Sequence, residues 1–483
     1  YAYTHFEPLD ARRAFPCFDE PSFKIPWTVT LRHKGEHLAF ANTEVASASD
    51  EGAWKVTRFH PTKPLPSYLV AMAVGPFDVV DGGRWGKNKV PLKLITPKGK
   101  GPDARWAVES TGPILEQLEA YFGIPYPYEK LDSISLPVNT GAMENPGLVT
   151  YGHQLMLSRA TEDTPGRQRA YASVCAHELA HQWFGDLVTM AWWDDLWLNE
   201  AFATWMTTKV ISAWKPKWDA DVGAVSRRSG ALGNDGLANA RKVRQPIETN
   251  DDIVNAFDGI TYGKGASVIS MFESWVTPEA FQRGVKRYLE QHAHQNATAA
   301  DFLAAVSQEA GKDVAAPFAT FLDQPGAPRV AMELTCAKGS KPKLTLQQRR
   351  HLPVGSTAEA KMTWSVPVCV RYAVKGKEAR ACTLLTAETG ELELGEAKGC
   401  PDWVLPNDRM QGHYRASLSG AADLPSLLTK ARKQLSVPER IGVLGDMGAL
   451  VYSGDLDQSQ ALLTVPLIAG EENRHLVGAA MGF

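Results

Sequence analysis

Val174-Cys175-Ala176-His177-Glu178-Leu179-Ala180-His181-Gln182-Trp183-Phe184 is the stretch of this 483-residue chain on which its reading turns. Apolar residues recur at helical spacing from Arg167 to Phe184, so a helix is expected there. Histidines four positions apart on a helix share one face, one turn apart, as two ligands of a single metal ion require. Glu178 lies between them at the edge of that face, where its carboxylate can reach a metal-bound water without binding the metal.

A His-Glu-x-x-His pattern alone also fits a buried helix with two satisfied histidines, so a third ligand is needed. The second helical stretch, Leu196 to Trp214 with Asp194 and Asp195 as candidate caps, carries Trp197-Leu198-Asn199-Glu200-Ala201. A loop of about ten residues between antiparallel helices returns Glu200 to the histidines. Two His and one Glu leave a fourth tetrahedral position open, the mark of a catalytic site for one Zn2+. The chemistry expected is attack on a carbonyl by zinc-bound water, with Glu178 as general base and a hydrogen-bond donor completing the oxyanion site.

The rest of the composition narrows the class. The length is roughly three times that of a typical domain, so two to four domains are expected. Apolar residues at 44% and charged residues at 22% exclude a disordered, collagen-like or coiled-coil chain. With 51 basic against 54 acidic residues there is no field to draw nucleic acid. The apolar run Tyr68 to Val80 is broken by Gly75-Pro76 and is too short for a membrane span, so no transmembrane segment is expected. The chain opens on Tyr1 without a leader pattern and closes at Phe483 within helical patterning, which reads as an excised or processed segment.

Cys17 and Cys175 stand alone, whereas Cys336, Cys369, Cys382 and Cys400 fall in one stretch. Those four allow two disulfides in any of three pairings, or four buried thiols. Disulfides would lean the location toward export or the cell envelope, with the cytoplasm as alternative.

Trp27, Val29 and Leu31 alternate with Thr28 and Thr30, predicting a strand over 25–31 in a mostly β opening region. Trp106 to Phe122 returns to helical spacing. Beyond Pro325-Gly326, runs such as Lys343 to Leu346 and Val366 to Tyr372 predict a small β-sandwich up to Ser417, after which helical patterning resumes. Arg349-Arg350-His351 reads as a solvated loop. Trp183, Trp192, Trp193, Trp197 and Trp205 read as core.

Three motifs in order carry a resemblance: Phe6-Glu7-Pro8-Leu9-Asp10-Ala11-Arg12-Arg13-Ala14-Phe15-Pro16-Cys17-Phe18-Asp19-Glu20-Pro21, then Gly141-Ala142-Met143-Glu144-Asn145, then the His177 to Glu200 constellation. Together they resemble the aminopeptidase N family of gluzincin zinc metallopeptidases, over nearly the whole chain. The resemblance implies a multidomain α+β protein: 1–80, the end of an N-terminal β-sheet domain; 81–327, a thermolysin-like, mostly α catalytic domain; 328–417, a β-sandwich; 418–483, the start of an α-helical domain. It further implies peptide substrates with a free N-terminus, the strip Gly141, Ala142, Met143, Glu144 and Asn145 along the substrate backbone, and Glu144 with Glu7 binding the α-ammonium. Tyr262, in Gly259-Ile260-Thr261-Tyr262-Gly263-Lys264-Gly265, resembles the family's tyrosine motif and is expected to serve as oxyanion donor. His5 departs from the Gln common in the family. The other readings are an endopeptidase with the same zinc core, a leukotriene hydrolase-like dual enzyme, and a catalytically silent scaffold of this fold.

Overall fold

The computed structural model describes residues 1–137, 141–468 and 471–482. They form two compact units, Tyr1–Trp218 with Pro246–Phe257 and Gln282–Val306, and Asp219–Gln245 with Asp258–Phe281 and Ser307–Phe483. The multidomain α+β class expected from the sequence is what is found: a β-rich opening, then helical and sheet regions.

In the first unit the alternation around Trp27 becomes a strand only at Thr30–Lys34. Pro26, and Pro61 and Pro64 on the facing stretch, have no N–H to donate. The ladder expected over 25–29 is therefore reduced to a bridge between Ile25 and Leu65 and isolated bonds such as Thr62 N–H to Trp27 O at 2.9 Å. Two three-stranded antiparallel sheets follow, Thr30–Lys34 with Trp54–Phe59 and Val45–Glu51, and Ala2–Tyr3 with Met72–Gly75 and Leu38–Ala41.

A five-stranded mixed sheet carries the site strip. Its order is Ala142–Met143, Leu148–Gly152, Leu131–Leu136, Val90–Pro97, Phe77–Trp85, and the two-residue strand Ala142–Met143 forms its edge among the described residues. Leu131–Leu136 and Leu148–Gly152 are buried throughout, as parallel neighbours covered on both faces should be. The unit's three longest helices are Arg105–Phe122, Pro165–His181 and Trp197–Trp214. The first ends where Gly123 turns left-handed (φ 68°) and donates to Glu119 O.

The second unit holds a four-stranded sheet ordered Thr389–Glu393, Lys343–Arg350, Pro328–Thr335, Arg415–Gly420, and a three-stranded sheet ordered Lys377–Leu385, Val366–Val374, Trp403–Leu405. Cys336 pairs with Cys400 and Cys369 with Cys382, which selects one of the three pairings the sequence leaves open; Cys17 and Cys175 are free. Arg349-Arg350-His351 is not a solvated loop. Arg349 and Arg350 close a strand, Arg350 is buried and donates to Leu237 O at 3.1 Å, and Arg349 pairs with Asp455 at 2.8 Å. The alternation that marks a strand was masked by its charged composition. Helices Leu424–Lys430, Val437–Tyr452, Gln458–Leu462 and Arg474–Ala480 follow the sheets.

The interior of this unit makes its stability acid-sensitive. His413 Nε2 meets Asp235 at 3.0 Å, and Asp235 also holds Lys264 at 3.1 Å, with no exposed surface on any of the three side chains. Burial, helped by the nearby Lys264 and Arg228, pushes His413 down from 6.5 to about 4. Burial and the flanking arginines do the same to His351. Between these values the unfolded chain binds protons that the folded chain refuses, so stability falls as pH drops from about 6.5 to 4. The part due to His413 is at most roughly 3 kcal/mol. Urea midpoints measured from pH 7 to pH 4 should fall, and less steeply in His413→Gln; an identical slope in that variant would contradict this account.

Candidate active site

Helix Pro165–His181 is started by the Thr164 side chain, which accepts from Arg167 N, and by Pro165, whose missing N–H costs nothing in a first turn. It must stop at His181, because the chain folds back at once: Asp186 N–H reaches His181 O at 3.0 Å, and Gly185 at φ 130° takes a conformation that side chains disfavour. The return leads through the turn Trp193–Asp195 into helix Trp197–Trp214, which is buried along its first three turns. Asp195 is not the backbone cap expected from sequence. Its oxygens accept from Trp197 Nε1 and Ala299 N, and the preceding turn already delivers the chain into the helix. Trp183, Trp193, Trp197 and Trp205 are buried core, as expected, whereas Trp192 is half-buried and packs against the edge of that core.

The two helices bring His177, His181 and Glu200 together. His177 Nε2 and His181 Nε2 lie 3.1 Å apart, and Glu200 Oε2 stands 3.1 Å from the first and 3.4 Å from the second. Ligands at the usual 2.0–2.1 Å from a tetrahedral zinc are separated by about 3.3 Å, so the triangle has the dimensions of one face of such a site. His181 Nδ1 lies 3.0 Å from Phe184 O. A carbonyl only accepts, so Nδ1 carries the proton and leaves the Nε2 lone pair for a metal. Among the described residues this is the one group of three or more His, Cys, Asp or Glu side chains close enough to share an ion.

The electrostatics favour cations. Burial opposes charge on His181, yet the Glu144, Glu200 and Glu178 carboxylates outweigh it and raise its pKa, so the field favours positive charge at Nε2, carried by a second proton that a metal ion there would displace. Burial raises Glu178, and the neighbouring Glu144 carboxylate adds to the effect. Glu7 is raised by burial and then by Glu144, Glu200 and Glu178, which places it in the same field. Burial also opposes charge on Glu200, but both histidines overcome this and keep it ionised. Carboxylates thus outnumber bases here, a surplus that a dication and an ammonium would offset.

The strip Gly141–Asn145 runs beside this cluster. Ala142 and Met143 pair with Tyr151 and Thr150, and the strip turns back at Gly147, where φ is 72° and a Cβ would stand 2.1 Å from Asn42 O. Gly141 is exposed, Ala142 half-buried, and Met143 is buried in a core with Leu65, Tyr68 and Trp193. Glu144 is buried, with Oε1 3.9 Å from His181 Nδ1 and without a hydrogen-bond partner. Glu7 Oε1 and Asn145 Nδ2 are likewise buried and unpartnered. His5 is exposed.

Tyr262 belongs to the second unit. It sits half-buried in a π-helical turn, Ile260–Lys264. Asp258 caps that turn by accepting from Ile260 N at 2.8 Å and Thr261 N at 3.1 Å, and Lys264 anchors its far end on Asp235 and on Gly326 O. Such turns cluster at functional sites. Sequence reasoning gave no role to Asp235, to Asp186, whose buried carboxylate oxygens lack partners, or to Gln182. Asp235 meets Lys264 and His413, and Gln182 meets Glu144 O, through contacts remote in sequence that no local period announces.

Residues 106–321 match the Peptidase family M1 domain and residues 1–69 the Peptidase M1 N-terminal domain. Aminopeptidase M1-A of Oryza sativa subsp. japonica is 35% identical over 94% of this chain and 51% of its own length. Aminopeptidase M1 of Arabidopsis thaliana is 34% identical over 94% and 52%, and the glutamyl aminopeptidase of Homo sapiens 33% over 97% and 49%. The chain spans about half the length of the curated relatives it matches. It belongs to peptidase family M1 and fits the aminopeptidase N family.

Proposed function

We propose that the chain is the metal-bearing part of a zinc-dependent aminopeptidase that removes the first residue from peptides with a free α-amine. The observation that carries this reading is the three-atom donor face of His177, His181 and Glu200 beside the buried, unpartnered carboxylate oxygens of Glu144 and Glu7. Those three residues would hold one zinc ion. When bound, zinc supplies Lewis acidity and a water acidic enough to ionise near neutral pH. Glu178, next to His177 on the same helix, takes the proton of the attacking water and delivers it to the leaving amine. Tyr262 donates its phenol O–H to the developing oxyanion.

Glu144 and Glu7 accept hydrogen bonds from the α-ammonium, which fixes the cut one residue from the end. The edge strand of the Gly141–Asn145 strip aligns the substrate backbone by strand addition. The pairing of Cys336, Cys369, Cys382 and Cys400 supports an exported or cell-envelope setting. No helix among the described residues is long and apolar enough to cross a membrane. The M1 relatives and the unpartnered amine-facing carboxylates do not favour the endopeptidase, leukotriene hydrolase-like or silent-scaffold readings.

The test is cleavage of alanyl and leucyl peptides, free and N-acetylated, by the purified protein with and without a chelator. Acetylation should lower kcat/KM by at least about 100-fold, since charge-assisted bonds to two carboxylates are lost. The chelator should abolish turnover and added zinc restore it. Equal cleavage of acetylated peptides would remove Glu144 and Glu7 from their assigned roles, and a zinc-loaded protein that cuts nothing would favour the scaffold.

A further inference from the structure

Gln182 directly follows the second histidine of the donor triad and has no exposed surface. Its amide nitrogen carries two hydrogens and meets two carbonyls: Nε2 donates to Glu144 O at 2.6 Å and to Glu178 O at 3.4 Å. Carbonyls only accept, so the orientation of the amide is settled by its surroundings. Its Oε1 takes the buried Tyr126 hydroxyl at 3.1 Å.

Each bond fills a place that secondary structure leaves empty. Helix Pro165–His181 is ending, and the backbone N–H of Gln182 turns to Leu179 O at 3.3 Å instead of continuing to Glu178 O. The side chain restores the bond to that terminal carbonyl. Glu144 is the first residue past the edge strand, so its carbonyl lies outside the sheet ladder. Neighbouring peptides of the strip are tied elsewhere, Gly141 O by Gly152 N, Asn145 O by Leu148 N and Pro146 O by Asn42 Nδ2, each at 3.0 Å. Because Glu144 Oε1 has no partner, the carboxylate takes its aim from the backbone that Gln182 holds.

The geometry points to Gln182 as the positioning residue that sets the spacing between the amine anchor Glu144 and the base Glu178, and with it the cut after the first residue. The inference rests on the proposed roles of those two glutamates. A single amide bolts the end of the metal helix to the strip, so losing it lets the anchor drift while the metal ligands stay in place.

The experiment compares wild type, Gln182→Met, Tyr126→Phe and Glu144→Gln of the purified protein. Zinc content, thermal melting, and kcat and KM on alanyl peptides with free and acetylated N-termini are measured for each. Gln182→Met preserves volume and removes both donors. It should keep its zinc, raise KM for the free-amine peptide about tenfold, change kcat less than about threefold, and lower the free-to-acetylated preference about tenfold. Tyr126→Phe, which loosens the far end of the amide along with the hydroxyl's 3.1 Å contact to Lys130 O, should shift the same preference about threefold. An unchanged preference in folded Gln182→Met overturns the proposal, as does an equal fall in kcat for both substrates. If Gln182→Met does not fold, Tyr126→Phe decides, and an unchanged preference there overturns it. Glu144→Gln separates the two layers: no loss of preference in that variant means the amine-anchor reading itself fails, whereas loss there but not in Gln182→Met sinks the positioning role alone.

Discussion

Glu178→Ala is expected to lower kcat by about 10²–10⁴-fold, the usual contribution of a positioned general base, while the protein still binds zinc. The separation follows from the geometry. The donor triangle is made of His177, His181 and Glu200 atoms, so truncating Glu178 leaves it whole. Glu178 itself is buried, and burial with the Glu144 carboxylate beside it raises its affinity for a proton, the property a base needs if it is to hold one between the water and the leaving amine. Steady-state kinetics on a free-amine peptide, with metal analysis of the same sample, checks both halves. Activity within tenfold of wild type would show that another group carries the proton.

Glu200→Ala should do the opposite and take the metal with it. In the proposed site Glu200 would supply the one anionic ligand; it stands 3.1 Å from one imidazole nitrogen and 3.4 Å from the other, and the histidines keep it ionised against the burial that opposes its charge. Losing an outer partner of a metal ligand typically costs ten- to a hundredfold in affinity, and losing the ligand itself should cost more than about 100-fold. Zinc also stabilises whatever state binds it, so added zinc should raise the melting temperature of wild type and leave that of Glu200→Ala almost unmoved. Titration against a competing chelator and melting curves with and without zinc give the two readouts. A variant that holds one zinc at wild-type affinity would exclude Glu200 from the ligand set.

The clustering of His177, His181 and Glu200 was legible because a helix converts sequence spacing directly into spatial spacing. His177 and His181 needed only the four-residue interval, and the stretch around Glu200 needed only a second helix and a short return. The three long helices are likewise found near where their periodicity places them, at Arg105–Phe122, Pro165–His181 and Trp197–Trp214, the second stopping at His181 rather than running on to Phe184. Legibility stopped where spacing along the chain and distance in space part company. Glu144 reaches within 3.9 Å of His181 across a sheet and a helix, and no period relates the two. Only the resemblance brought Glu144 forward, together with Glu7 and Tyr262. The strand predicted over 25–31 begins late because prolines remove its donors, and Arg349-Arg350 belongs to a strand although its composition suggests solvent. The cysteine pairing was closed to sequence reasoning because it depends on which strands lie opposite one another, as Cys369 and Cys382 do.

The edge strand Ala142–Met143 is two residues long. At about 3.3 Å per residue, it offers an incoming chain a docking rail of roughly 7 Å. Among the described residues, this sheet offers no amide pairing to anything farther along that chain. Under the proposed activity, each newly exposed end would meet the same short rail on equal terms, so a long peptide would be worn down one residue at a time, with little memory of the sequence still to come.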